Sequence, residues 1–168
     1  FGSSAAAPAD FMMAEEEEEK VSHFSNLANT AHQYHLVQGG AAIKSLIGFL
    51  GRQTTFCFDT ETTSLTAVEA ELVGMSFAYR KGEAFYVPFP ENQSEAQAQV
   101  DLFKDLFANE AIQKVAQNIK YDMSVLANYG LEIKGSTYDT MLAHYLIEPE
   151  KRHNMDALSM AYLHYEPL

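Results

Sequence analysis

The sequence holds one cysteine, no tryptophan, few basic residues and no long apolar run. A lone Cys57 excludes an internal disulfide and a cysteine-based zinc cluster. Set between Phe56 and Phe58, it is expected to be a packed core thiol rather than a nucleophile. Only 11 Lys and Arg stand against 23 Asp and Glu, for a net charge of −12. That balance excludes the broad basic surface with which generic nucleic-acid binders grip phosphates. It still permits action on nucleic acid where divalent cations neutralise the site, or where a basic partner domain holds the strand. No apolar run reaches the roughly 18 to 20 residues that a membrane-spanning helix needs. The N-terminus has neither the basic region nor the apolar core of a signal peptide. The expectation is a cytoplasmic protein with no membrane partner.

What is present is enough for one core: 168 residues, 47% hydrophobic and 12% aromatic. Residues 1–33 read as an acidic linker or tail, because FGSSAAAPAD is small and polar and Glu15 to Glu19 form a block of like charge. The folded unit is expected over residues 34–168. Residues 33–38 read as a short strand and 41–52 as an amphipathic helix with Ile43, Leu46, Ile47 and Leu50 on one face. Strands are expected at 55–60, 71–79 and 83–89, the last two joined as a hairpin through Arg80-Lys81-Gly82. Ser94 is expected to cap a helix over 95–108. A strand over 114–118 feeds a helix over 121–129 that Gly130 stops. Asp139 starts a helix carrying Leu142, Tyr145 and Leu146, and Asn154 starts a last one with Leu158, Ala161 and Tyr162 on its apolar side. The order describes a mixed α/β layer.

The stretch FCFDTETTSL carries the first chemical signal. Strand alternation sends Phe56 and Phe58 to one face and Cys57, Asp59 and Glu61 to the other. Two acids side by side on rigid backbone repel each other unless a cation sits between them, as in nucleases that hydrolyse phosphodiesters with metal ions. In a chain of this composition an Asp meets a Glu two places on about once by chance, so a polar strand end is the plain alternative. The second signal is KVAQNIKYDMSVLANYG, which puts Asp122 at a strand-to-helix junction. By itself Asp122 reads equally as a helix-start acid favoured by the macrodipole. Yet Asn118-x-Lys120-Tyr121-Asp122 specifies four residue types in five positions, a chance match on the order of one in a thousand. Asp139 and Asp156 read as helix-start residues, and His144 and His153 lack the cysteine partners of a zinc site.

With FDTETTSL, LVGMSFA, VAQNIKYD, LANYGLE, YDTMLAHYL and RHNMDALS in order, the sequence resembles the 3′–5′ proofreading exonuclease domain of family A bacterial DNA polymerases. The resemblance runs from about Tyr34 to Leu163. It implies a ribonuclease H-like mixed sheet flanked by helices, incomplete at the C-terminus, and two divalent ions, Mg2+ or Mn2+. It implies hydrolysis of the 3′-terminal phosphodiester of single-stranded or frayed DNA, beside a polymerase domain of the same parent chain. On matching positions, Asp59, Glu61 and Asp122 would be the catalytic metal ligands. Leu65 would wedge against terminal bases, and Gln117, Asn118, Lys120, Tyr121 and Arg152 would contact or orient the strand. Arg152 suits phosphate chemically, although a surface cation on a loop is its plain alternative.

The superfamily completes its site with Tyr-x3-Asp or His-x4-Asp. No Tyr in this sequence has an Asp four places on, and no His has one five places on. The expectation is therefore a fragment, inactive or weakly active alone. The alternative is a non-catalytic structural or DNA-binding domain, although a lost site usually loses its carboxylates, and this sequence keeps three. An RNA-trimming relative fits the acids but not the Leu-Ala-Asn-Tyr-Gly and Arg-His-Asn-Met-Asp segments.

Overall fold

Five of the eleven phenylalanines meet in one cluster, and this cluster organises the fold. Phe56 and Phe58 project from one face of a strand, and Phe77 joins them from its neighbour. Phe103 stacks on Phe77 at a centroid distance of 5.5 Å, and Phe107 meets Phe58 edge-on at 5.0 Å. Such pairs add to the apolar burial itself, by about 0.5–1.5 kcal/mol each.

The computed structural model of the protein describes residues 24–167. The elements in chain order are β1 (Gln33–Leu36), α1 (Gly40–Leu50), β2 (Thr55–Thr62), β3 (Leu72–Arg80), β4 (Glu83–Pro88), α2 (Gln93–Asp101), α3 (Lys104–Ala108), β5 (Gln113–Ala116), α4 (Ile119–Asn128), β6 (Thr137–Asp139), α5 (Thr140–Ile147) and α6 (Met155–Leu158). A π-helical turn, Ser159–Leu163, follows α6 directly. The six strands form one sheet in the order β1-β4-β3-β2-β5-β6. The β2–β3 and β3–β4 pairs are antiparallel, and β1–β4, β2–β5 and β5–β6 are parallel. This is the mixed α/β sheet flanked by helices that the sequence leads one to expect. Among the described residues no helix is long and apolar enough to cross a membrane.

The expected elements are present with shifted ends and three physical differences. The helix expected over 95–108 is two, because the chain tightens at Leu102 and Phe103 so that Phe103 and Phe107 both reach the cluster. Its cap is Asn92, whose side chain accepts from the N–H groups of Ser94 and Glu95. The third difference is β6, too short and too exposed to announce itself; it forms because β5 offers it a parallel edge.

The sheet is covered unequally. Ile43, Leu46 and Leu50 of α1, Val100 of α2 and Val125 and Leu126 of α4 are buried with the phenylalanines in one core. The opposite face carries Cys57, Asp59, Ser76 and Ala78 and borders a cavity of about 630 Å3 beneath α5 and the 155–163 segment. Cys57 is accordingly exposed, not a packed core thiol, since alternation turns it away from the Phe56 side. Burial nonetheless pushes its thiol pKa up, as befits a side chain recessed in an apolar cleft. Likewise the apolar residues read into the last two helices stay open: Leu142, Tyr145, Leu146 and Tyr162 are all exposed.

The boundary region expected near residue 33 falls partly within the described chain. Ser25 donates its backbone N–H to the carbonyl of His164 and forms an isolated parallel bridge with Tyr165. Residues 1–23, with the acidic block, lie outside the described residues.

Candidate active site

Strand β2 positions the first two carboxylates. Its burial alternates along Phe56, Phe58 and Thr60, all buried, so Asp59 and Glu61 share the opposite face as the sequence implies. Glu61 is exposed and Asp59 is partly covered. Across the ladder Asp59 faces Ser76 and Glu61 faces Gly74, and the register slips between Glu61 and Thr62. Such an irregularity bends the strand and re-aims the side chains beside it. A Cβ at Gly74 would lie 2.1 Å from the Tyr86 hydroxyl, so any other residue would displace that ring. The missing side chain lets the Tyr86 ring lie across the residue paired with Glu61.

The third carboxylate comes from the β5–α4 turn. Asn118 adopts the left-handed conformation (φ 60°, ψ 46°) at the N-terminal end of α4, a conformation that Asn and Gly tolerate best. This sharp turn puts Asp122 in the first turn of the helix, buried to 2% exposure against β2. Asp122 Oδ1 accepts from the Thr60 backbone N–H at 3.0 Å and from the Thr60 hydroxyl at 2.6 Å. Thr60 stands between the two acids of β2 in sequence, so the bonds that hold Asp122 also bring it near Asp59.

The electrostatics record that proximity. Burial, then the Asp122 charge, then the Glu61 charge push the Asp59 carboxyl from 3.8 to about 6. Asp122 is also raised, mainly by burial, against the opposing pull of the Thr60 bonds. Carboxylates that resist ionisation beside one another are stabilised by a cation, and oxygen donors suit the hard divalent ions. The donor chemistry therefore fits Mg2+ or Mn2+. Among the described residues, however, no group of three or more His, Cys, Asp or Glu side chains is placed so that it could hold a metal ion, so the fit is one of donor chemistry.

Around this centre the remaining candidates divide by what they touch. Leu65 stands 97% exposed on the loop after β2. Tyr121 donates from its hydroxyl to the Ser64 carbonyl at 2.5 Å and contacts the Thr62 hydroxyl, so it props the loop that carries Leu65. Asn118, Lys120 and Arg152 are exposed. Gln117 is engaged at both ends of its amide: Nε2 donates to the His153 carbonyl at 2.6 Å, and Oε1 accepts from the Thr140 hydroxyl. Its direct effect is to tie the Arg152–His153 loop to the end of β5.

Two residues with clear roles are not singled out as site residues by sequence reasoning. Thr60 reads as the spacer between two acids, and only the packing of α4 on β2 shows its grip on Asp122. Asp139 reads as a helix-start acid, and it does cap α5 through Met141 and Leu142. The same carboxylate also accepts from the backbone N–H groups of Asn118 and Ile119, bracing the turn that aims Asp122.

Comparison with known proteins gives the family and the fold. The 3′–5′ exonuclease family model of A-type DNA polymerases matches residues 34–167. DNA polymerase I of Pseudomonas aeruginosa is 37% identical over 139 residues, which is 77% of this chain but 15% of that protein. The chain thus spans about one seventh of the curated relative. Among solved structures, the POL domain of Pol1 from M. smegmatis, in complex with DNA primer-template and dNTP, superposes with a TM-score of 0.65. It shares 22% identity and covers 80% of this chain and 23% of that one. Brucella melitensis NrnC with bound Mg2+ superposes at 0.63, with 18% identity over 82% of this chain and 64% of that one. These likenesses carry the fold alone, the mixed six-stranded sheet with its flanking helices. With the family model matched over residues 34–167 and a curated relative 37% identical over 77% of this chain, the chain belongs to the 3′–5′ exonuclease family of A-type DNA polymerases.

Proposed function

We propose that this domain removes nucleotides one at a time from the 3′ end of single-stranded or frayed DNA, as the proofreading unit of a polymerase polypeptide acting in the cytoplasm. The observation that carries the proposal is the Asp59 carboxyl, pushed up to about 6 by burial and by its two acidic neighbours on an accessible strand face. Asp59, Glu61 and Asp122 would hold two divalent ions, Mg2+ or Mn2+. When bound, these ions supply the positive charge that stabilises the attacking and leaving oxygens of phosphodiester hydrolysis.

The chain's own residues supply placement. Leu65 would wedge against the terminal base from a loop that Tyr121 braces. Asn118 and Lys120, exposed at the start of α4, would meet the strand beside Asp122. Arg152 would pair with a backbone phosphate, and Gln117 would set its loop. With a net charge of −12, most DNA affinity would have to come from these few cations, the metal ions and the polymerase region. These 168 residues contain three of the four carboxylates of the family's site and no Tyr-x3-Asp, so slow hydrolysis is expected from the chain by itself.

The test is a 5′-labelled single-stranded oligonucleotide incubated with the chain in Mg2+ or Mn2+. A ladder shortening from the 3′ end, absent in EDTA and lost in Asp59→Ala, supports the proposal. Equal behaviour of the wild type and Asp59→Ala, with no Mn2+ bound by either, overturns it in favour of a non-catalytic domain.

A further inference from the structure

Asp122 would serve the proposed metal site only if its carboxylate points one way, and a carboxylate on the first turn of a helix has a soft second torsion. What fixes it comes from β2. Thr60 donates twice to the same oxygen, Oδ1, once from its backbone N–H at 3.0 Å and once from its hydroxyl at 2.6 Å. Oδ2 takes part in neither bond. Both residues are buried, Thr60 to 7% exposure and Asp122 to 2%, so water does not readily replace these donors. The two bonds also join the strand bearing Asp59 and Glu61 to the helix bearing Asp122.

We infer that Thr60 is a positioning residue for the metal site: by clamping Oδ1 of Asp122, it leaves Oδ2 as the oxygen available to a divalent cation. The inference rests on the exonuclease reading above and adds to it a residue that touches neither metal nor DNA. The hydroxyl is the part open to mutation, since the backbone donor survives every substitution except proline. Hydrogen bonds that orient metal-binding carboxylates typically matter by 10- to 100-fold in metal affinity. With one of the two donors retained, the lower end of that range is expected.

The test compares Thr60→Val, which keeps shape and β-branching but lacks the hydroxyl, with Thr60→Ser, which restores it. Mn2+ affinity is measured on the 168-residue chain by calorimetry or by electron paramagnetic resonance, and metal-free melting temperatures are recorded in parallel. Support requires roughly tenfold weaker Mn2+ binding in Thr60→Val, affinity near wild type in Thr60→Ser, and a folded metal-free state in both. Should Thr60→Val prove unfolded, Thr60→Cys, with a thiol too weak a donor to hold Oδ1, takes its place under the same criterion. If the wild type binds Mn2+ in an Asp59-dependent manner and Thr60→Val binds it equally well, the clamp is overturned while the exonuclease reading stands. If the wild type binds no Mn2+, the reading itself fails and the inference fails with it.

Discussion

The two residues of this site under the most physical constraint are Asp59 and Asn118. The folded-state pKa of Asp59 lies near 6, above the 3.8 of an unperturbed carboxyl. Between those values the folded chain holds a proton that the unfolded chain has lost, so stability falls as pH rises through that window. Below pH 4 both states are protonated and the penalty is absent. Metal-free melting in EDTA should therefore show a downward step from about pH 4 to 6.5, of order 2 kcal/mol for a half-buried group. Asp59→Asn should flatten that step, and Mn2+ should reverse it by binding the ionised form. Asn118 is constrained by its backbone instead. In the left-handed region a Cβ without a compensating polar group costs roughly 1–2 kcal/mol. Asn118→Ala should lose about 1 kcal/mol in urea denaturation, whereas Asn118→Gly should change stability little. If Asn118→Gly nevertheless weakens DNA binding, the side chain has a contact role beyond the turn.

At the scale of elements, two polar staples add to the apolar packing of β5 and α4. Asp139 collects four backbone N–H groups, two from α5 and two from the start of α4. A single cap is worth about 1 kcal/mol, so Asp139→Ala, which ends both caps, should cost about 2 kcal/mol. Chemical denaturation measures that loss, and Asp139→Asn should recover most of it, since three of the four N–H groups meet Oδ1, the one oxygen an amide can still place there. The other staple is Lys114 of β5, fully buried, whose ammonium donates to the carbonyls of Asn109 at 2.5 Å and Lys134 at 2.8 Å. Desolvation lowers its pKa, yet the two carbonyls hold it in place between the loops that flank the strand. Lys114→Met fills much the same volume but leaves both carbonyls without this donor. A loss of about 1–3 kcal/mol in urea denaturation is expected.

Over the whole molecule, burial is concentrated on one side of the sheet. Leu126, fully buried on the inner face of α4, should cost about 2–5 kcal/mol on truncation to alanine. Ile147, 72% exposed on α5, should tolerate serine within about 0.5 kcal/mol. Paired denaturation curves for these two variants measure the asymmetry directly. The same asymmetry explains why the carboxylate face is reachable at all. The aromatic cluster, α1 and the α2–α3 pair occupy the opposite face, and Asp59 borders a cavity rather than a packed layer.

The sequence by itself determined the elements whose apolar period is strong, since that period and the buried face are one physical fact. Residues 55–62 alternate and α1 repeats at helical spacing, so both were legible along with the face that carries Asp59 and Glu61. The strand-to-helix junction around Asp122 was legible because an apolar strand pattern over 114–118 gives way there to a helical one. Cys57 was misjudged because alternation says which face a residue takes but not whether that face is covered. Leu142, Tyr145 and Leu146 were misjudged for the same reason: an apolar stripe predicts burial only where a partner layer exists. Strand β6, the grip of Thr60 on Asp122 and the double cap at Asp139 came from the tertiary structure alone. Each joins segments about 20 to 60 residues apart in sequence, and no local pattern encodes which distant donor a carboxylate will meet.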